Sequence, residues 1–177
     1  MKEMNKLMRE SLDEHFKMSH KNTLKEEKER KERYEQVERA LTFEQFKSLE
    51  EWCDMTTSRI VFDSNTEEWE EIGSKESLLE QSILNKQNLV FLIETDEGIR
   101  FGCFLRQKLT QRNIYVKDNN AFVFTFKNDN HRKYDVSDAD IIFSLSQPEE
   151  NSIFVVGKND IVIMKKNMGN ESKCNKN

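Results

Sequence analysis

Apolar residues recur every fourth position near the start of the chain, at Met4, Met8, Leu12 and Phe16, and then fade. Four-residue spacing sets them one above the other on a narrow helical face. From Lys2 to about Ala40 no Pro or Gly intervenes, and Lys, Glu, Arg and Met dominate. These side chains lose little freedom in a helix, so the pattern predicts one long charged helix, an arm over residues 1–41. Between Lys25 and Arg33 there is no apolar residue at all, although Glu and Lys or Arg fall at mutually supporting spacings. That stretch is expected to be solvated on every side. A heptad begun at Met1 and Met4 passes Met8 and then meets Ser11, His15, Met18, Asn22 and Lys25, so a coiled-coil seam breaks early. A monomeric helical spacer is the expectation, with a coiled coil or partner helix as the alternative. Tyr34, Val37 and Leu41 restore an apolar face, where the arm should dock.

After residue 41 the pattern changes. Thr42-Phe43-Glu44-Gln45 has the form of a capping box and predicts a new helix, with Phe43, Phe46, Leu49 and Trp52 on its buried side. Ile60-Val61-Phe62, closed by Asp63-Ser64-Asn65, reads as a short strand and turn. Leu78 to Leu84 reads as a helix, with Leu78, Leu79, Ser82 and Ile83 at core spacing. Asn88 to Glu94 is the strongest strand, and its unbroken apolar run predicts burial on both faces. Thr95-Asp96-Glu97-Gly98 supplies a hairpin turn into Ile99–Leu105. Phe122, Phe124 and Phe126 alternate with less apolar neighbours, and Asn128-Asp129-Asn130 predicts a second hairpin turn. Ile141–Phe143, Ser152–Val156 and Asp160–Met164 complete the β set, the last two joined by Gly157-Lys158-Asn159. Strands without crossover helices between them favour antiparallel pairing. The fold class is therefore α+β, a mostly antiparallel β-sandwich with short flanking helices, preceded by the long charged helix. The domain is expected over residues 42–168, stable without the arm, and residues 169–177 form a disordered tail.

The order of these elements carries a resemblance. The turn near Ile60 to Asn65 with Trp69, the helix to Ile83, the hairpin with "DEGIRFG", then "AFVFTFKND" and the closing "FVVGKNDIVIM" resemble the TLDc domain over roughly residues 57 to 166. Asp96, Gly98, Phe101 and Gly102, and the strand from Ala121 to Phe126, match its best anchors. The chain departs from the family pattern where Cys103 replaces a second Gly, and where only Gly157 remains of a Gly-rich loop before the last strand. The resemblance implies a compact, divergent member without an agreed catalytic site, linked to oxidation resistance and to binding the vacuolar proton-pumping ATPase.

Composition adjusts this picture only slightly. Charged residues reach 34% and hydrophobic ones 36%, and twelve Phe lie mostly after residue 42, so solvation and core are divided along the chain. The net charge of -5 conceals 12 basic against 12 acidic residues in 1–50, 4 against 12 in 51–100, and 12 against 9 in 101–177. No basic block exists that could neutralise a phosphate backbone, so nucleic acid is a poor partner and basic proteins a better one. No apolar stretch predicts a signal peptide or a membrane span, which points to a cytosolic or nuclear protein without membrane insertion.

The candidate chemistry is thin. Cys53, Cys103 and Cys174 lack zinc or redox spacing, and Cys103 falls within a strand as a small hydrophobe, with a redox sensor as the sharper alternative. Asp63, Glu67, Glu68, Glu70 and Glu71 surround Trp69 but lack the alternation and central Gly of a calcium loop. His15 and His20 are five apart, not four, and His131 stands alone. Gly157-Lys158 is a strand turn outside any phosphate-loop frame. No catalytic, metal or cofactor residue is expected. Two function classes follow: a non-catalytic protein-interaction or regulatory module, and, as the alternative, an enzyme of antioxidant or hydrolytic chemistry. A deep pocket of converging polar groups would favour the second.

Overall fold

The computed structural model describes residues 2–56, 59–66, 78–127, 130–136, 143–147, 150–157, 159–165 and 171–174. The chain divides into two compact units, Met1–Ile60 and Val61–Asn177. In the first, helix α1 spans Lys2–Tyr34 and α2 spans Phe43–Cys53. Along α1, Leu12 and Phe16 are 55% and 71% exposed, so the apolar stripe is uncovered where it can be followed. The side chains of Met4 and Met8 lie outside the described residues.

α1 stops six residues short of Ala40, and residues 35–40 form turns that return the chain to α2. The Tyr34 hydroxyl donates to the Leu41 carbonyl at 3.1 Å, and its ring meets Phe43 and Phe46 with centroids 5.2 and 5.7 Å away. The Thr42 capping box forms as expected: Thr42 Oγ1 accepts from the Gln45 amide at 3.3 Å, and Gln45 Oε1 accepts from the Thr42 amide at 3.1 Å. Such a cap stabilises a helix start by about 1 kcal/mol. The buried side of α2 differs from expectation. Phe46, Leu49 and Cys53 are buried together with Gln45 and Glu50, whereas Phe43 is exposed and Trp52 half-buried. The rotation has an electrostatic cause. Glu50 accepts from Arg30 Nε at 3.2 Å and from Arg33 Nε and Nη2 at 3.0 and 3.3 Å, so this carboxylate faces α1. A fragment beginning at residue 42 would hold that buried carboxylate without both arginines.

The second unit holds helix α3 (Leu78–Ile83) and two four-stranded antiparallel sheets. The first sheet comprises β1 (Leu89–Glu94), β2 (Arg100–Leu105), β3 (Phe122–Lys127) and β4 (Asn130–Asp135), in that order. The β1–β2 turn follows the sequence closely. The Thr95 amide donates to the Ile99 carbonyl and the Ile99 amide to Thr95 Oγ1, the Gly98 amide donates to the Thr95 carbonyl, and Gly98 takes a φ of 76°, which glycine adopts without penalty. Glu94 and Arg100, opposite each other in the register, form an ion pair at the root of this turn. β3 and β4 form the second hairpin; Asn128 and Asp129 lie outside the described residues.

β5 (Phe143–Leu145), β6 (Ser152–Val156), β7 (Ile161–Met164) and β8 (Lys173–Cys174) make the second sheet. Two differences from the sequence reading arise. Ile60–Phe62 forms no strand; Val61 and Phe62 are half-buried against the core without joining a ladder. Of the strand expected at Ile141–Phe143, Phe143 falls in β5, while Ile141 and Ile142 lie outside the described residues. The final segment, expected to be disordered, contributes β8, whose Cys174 and Lys173 pair with Ile161 and Val162.

The two sheets share one core. Leu89, Phe91, Cys103 and Leu105 from the first meet Phe143, Leu145, Phe154 and Val156 from the second, with Leu79 and Ile83 of α3. Phe91, Phe143 and Phe154 form its aromatic centre, with centroids 4.5 to 5.4 Å apart. On the other face of the first sheet, Phe104, Phe122, Phe124 and Phe126 form a second aromatic row, all buried. Gly102 lies opposite Phe124 in the register. A β-carbon at Gly102 would collide with the Phe91 carbonyl and stand 2.9 Å from Phe124 Cζ, so this strand position admits only glycine.

Candidate functional site

The second sheet alternates in the usual strand manner. Phe154, Val156 and Ile161 face the core, while Ser144, Val155 and Val162, adjacent across three strands, face outward. There they floor an open groove of about 380 Å³. Met164 extends the floor, and Ser146 and Ser152 stand on one side with their hydroxyl oxygens 2.7 Å apart. Asn113, Tyr115, Asn151, Asn159 and Glu150 complete the rim.

Backbone bonding fixes these walls. The Asn113 amide donates to the Leu145 carbonyl at 2.8 Å, and the Val116 amide to the Phe143 carbonyl at 2.8 Å, so residues 113–116 run along the free edge of β5. That brings Tyr115 to the rim, where it is 48% exposed. The Lys165 amide donates to the Asn151 carbonyl, and Glu150 Oε2 accepts from the Gln147 amide at 2.9 Å. Among the described residues of the lining, Glu150 is the sole carboxylate and there is no Lys, Arg, His or Cys. These residues can donate and accept hydrogen bonds, and among them stands no paired acid and base, thiolate or imidazole.

Of the side chains singled out by sequence, neither the thiols, the histidines nor Asp63 lines this groove. Cys103 is buried in the core, and burial pushes its thiol up to about 12, so it stays protonated and unreactive at physiological pH. Cys53 is buried in α2, and Cys174 is exposed on β8. His15 and His20 are exposed on α1; His131 packs edge-on against Phe126, 4.9 Å between centroids. Asp63 Oδ1 accepts from the Asn65 amide at 3.0 Å, a turn-forming role, while Glu67, Glu68, Trp69, Glu70 and Glu71 lie outside the described residues, as does Lys158. Among the described residues, no group of three or more His, Cys, Asp or Glu could hold a metal ion. Nor, among them, is any helix long and apolar enough to cross a membrane.

Sequence reasoning missed two carboxylates that organise the chain. Glu50 is one. The other is Asp118, only 1% exposed, which accepts from the amides of Arg106, Gln107 and Asn120 at 2.5, 2.8 and 2.9 Å. It ties the loop after β2 to the entry of β3. The Asp118-Asn119-Asn120 run was its signal, since Asp favours bonding the amide two residues on.

No curated protein and no solved structure matches the chain. A family model does match, over residues 30–175, and this span reaches further in both directions than the motifs alone, taking in the end of α1, all of α2, and β8. The segments it adds include those that the Arg30–Glu50 contact and the β7–β8 ladder tie down. By this match the chain belongs to the TLDc domain family.

Proposed function

We propose that this chain is a non-catalytic interaction and regulatory module of the cytosol, acting in the oxidative-stress resistance associated with TLDc proteins. Its partner is a protein, and the vacuolar proton-pumping ATPase is the one that family membership brings forward. The observation carrying this reading is the match to the TLDc domain over residues 30–175. The groove on the second sheet supports it, because it is open and, among the described lining residues, holds one carboxylate already engaged by a backbone amide. Cys103 supports it too, since a buried, protonated thiol is a poor peroxide nucleophile. The exposed length of α1 serves as a spacer or second contact.

The test uses the full chain with the purified proton-pumping ATPase. Co-migration at micromolar concentration, with a changed rate of ATP hydrolysis and no turnover of peroxides or esters by the chain itself, is the expected result. Turnover of either substrate by the chain alone, abolished by one point substitution, would establish the enzyme reading instead. Absence of co-migration would remove the ATPase as partner.

A further inference from the structure

Arg30, Arg33 and Tyr34 recur at spacings of three and four residues, which sets them on one face of α1. Each is held from across the bend into α2. Glu50, buried, takes Arg30 on one carboxylate oxygen at 3.2 Å and Arg33 across both at 3.0 and 3.3 Å. Tyr34 bonds the Leu41 carbonyl and packs on Phe43 and Phe46. One contact would let α1 pivot or roll; contacts spread over a full turn of the helix fix both motions. Swinging α1 away would strip two guanidinium groups from a buried carboxylate, which is costly. Nor is the bend a loose joint. The amides of Glu35, Gln36, Val37, Ala40 and Leu41 all donate to backbone carbonyls within residues 31–37, and Val37 is buried.

Beyond this clamp α1 runs about 42 Å back to Lys2. No Pro or Gly interrupts it, and these are the usual causes of sharp kinks. Lys25 pairs with Glu29 at 3.6 Å and Lys28 with Glu32 at 3.8 Å, one turn apart, and so support the solvated stretch. Thr23 Oγ1 donates back to the Ser19 carbonyl at 3.1 Å, a contact that bends a helix only gently. Leu12 and Phe16 precede Arg30 and Tyr34 by 18 residues each, which is about five full turns. The exposed apolar pair therefore shares the clamped face, and whatever fixes the roll of α1 also aims that pair. We infer that the Glu50 clamp makes α1 a stiff lever of set direction and roll, holding Leu12 and Phe16 about 27 Å from the clamp on the clamped side. A tether free to swing would lose that aim. This gives the spacer proposed above its mechanics, and rests on that part of the reading alone.

The experiment is pulsed electron resonance on the full chain, with spin labels on cysteines placed at exposed positions. Glu51→Cys in α2 is paired with Asn22→Cys in one sample and with Glu14→Cys in another. Cys174→Ser removes the exposed native thiol, while Cys53 and Cys103 are buried. Each pair should give a single narrow distance, with the Glu14 pair longer by up to about 12 Å, the rise of eight helical residues. Glu50→Gln keeps the shape of the side chain and drops its charge. It should broaden both distributions about twofold or more, with helix content by circular dichroism unchanged. Lys28→Gln, whose partner Glu32 lies outside the clamp, should leave them narrow. Should Glu50→Gln fail to fold, Arg30→Gln, at a side chain 38% exposed, decides the matter by the same broadening. Broad or multiple distances with the clamp intact overturn the inference, as do widths indifferent to the clamp substitution in a variant that folds. No partner enters the measurement, so ATPase binding or its absence bears on the proposed function and leaves the lever untouched.

Discussion

The two sheets of the second unit have four strands each but use their faces differently. The first is buried on both sides along β2 and β3: Cys103 and Leu105 point into the shared core, and Phe104, Phe122, Phe124 and Phe126 form a second buried row behind it. The second buries one face only, and its other face carries Ser144, Val155 and Val162 to the groove. A sheet closed on both sides has no surface left to offer, so its residues are constrained by packing. A sheet closed on one side keeps a surface on which recognition can be built, and the structural load falls on the core-facing positions.

The sharpest break of this comparison is at Phe143, where the sheets meet. Phe143→Ala should cost about 4 kcal/mol, through lost burial and the cavity between Phe91 and Phe154. Urea unfolding should remain a single transition, because the core is shared. A loss under about 1 kcal/mol would mean that the sheets do not depend on one another. Gly102→Val should follow at about 3 kcal/mol, since its neighbours are a backbone carbonyl and a packed ring. Gly98→Ala gives the control: its φ of 76° is strained for alanine but open space surrounds it, so about 1 kcal/mol is expected. Equal midpoints for the two variants would refute the close approach at Gly102.

The buried thiol of the first sheet gives a pH signature. Cys103 is raised from 9.0 to about 12, so above 9.0 the unfolded chain loses this proton while the folded chain keeps it. Stability from this group is therefore full below 9.0 and drains as pH climbs toward about 12, at about 1.4 kcal/mol per pH unit. Cys103→Ala should flatten that alkaline decline, measured by thermal melts across the range; an identical slope in the variant would assign the decline to other groups. The smallest effect belongs to the open face. Val155→Thr should change stability by no more than about 0.5 kcal/mol, and a loss as large as at Gly102 would show that the groove floor is core after all.

Local signals told most of the first sheet and less of the second. β1, the Gly98 turn and the Phe122–Phe126 alternation were legible because apolar period and turn chemistry agreed at each step. Ile60–Phe62 misled because β-branched and aromatic residues report burial as readily as ladder pairing, and Val61 and Phe62 supply burial alone. The sequence pattern ends this strand at Phe143, whereas the ladder runs on to Leu145, because so short an element gives little period to count. The face of α2 was set by Arg30 and Arg33 far back in sequence, beyond any local window. The groove was illegible for a related reason. Asn113, Ser144, Asn151 and Asn159 look like ordinary loop and strand-surface residues until the register of β5–β7 and the course of residues 113–116 bring them to one rim.

The exposed edge strand β4 has a consequence for how the molecule behaves among its own copies. A long, flat, uncharged edge invites another chain to add itself by backbone bonding, and successive additions end in aggregates. Here the outermost strand reads Asn130-His131-Arg132-Lys133-Tyr134-Asp135, and most of it is solvent-exposed. A chain arriving to extend the sheet would have to bring its own side chains beside Arg132, Lys133 and Asp135, and displace their water. The aromatic row behind β4 makes this protection necessary, because the Phe-rich β3 is the segment most able to template such growth. Crowded solution, rather than the isolated fold, is the setting in which those charges matter.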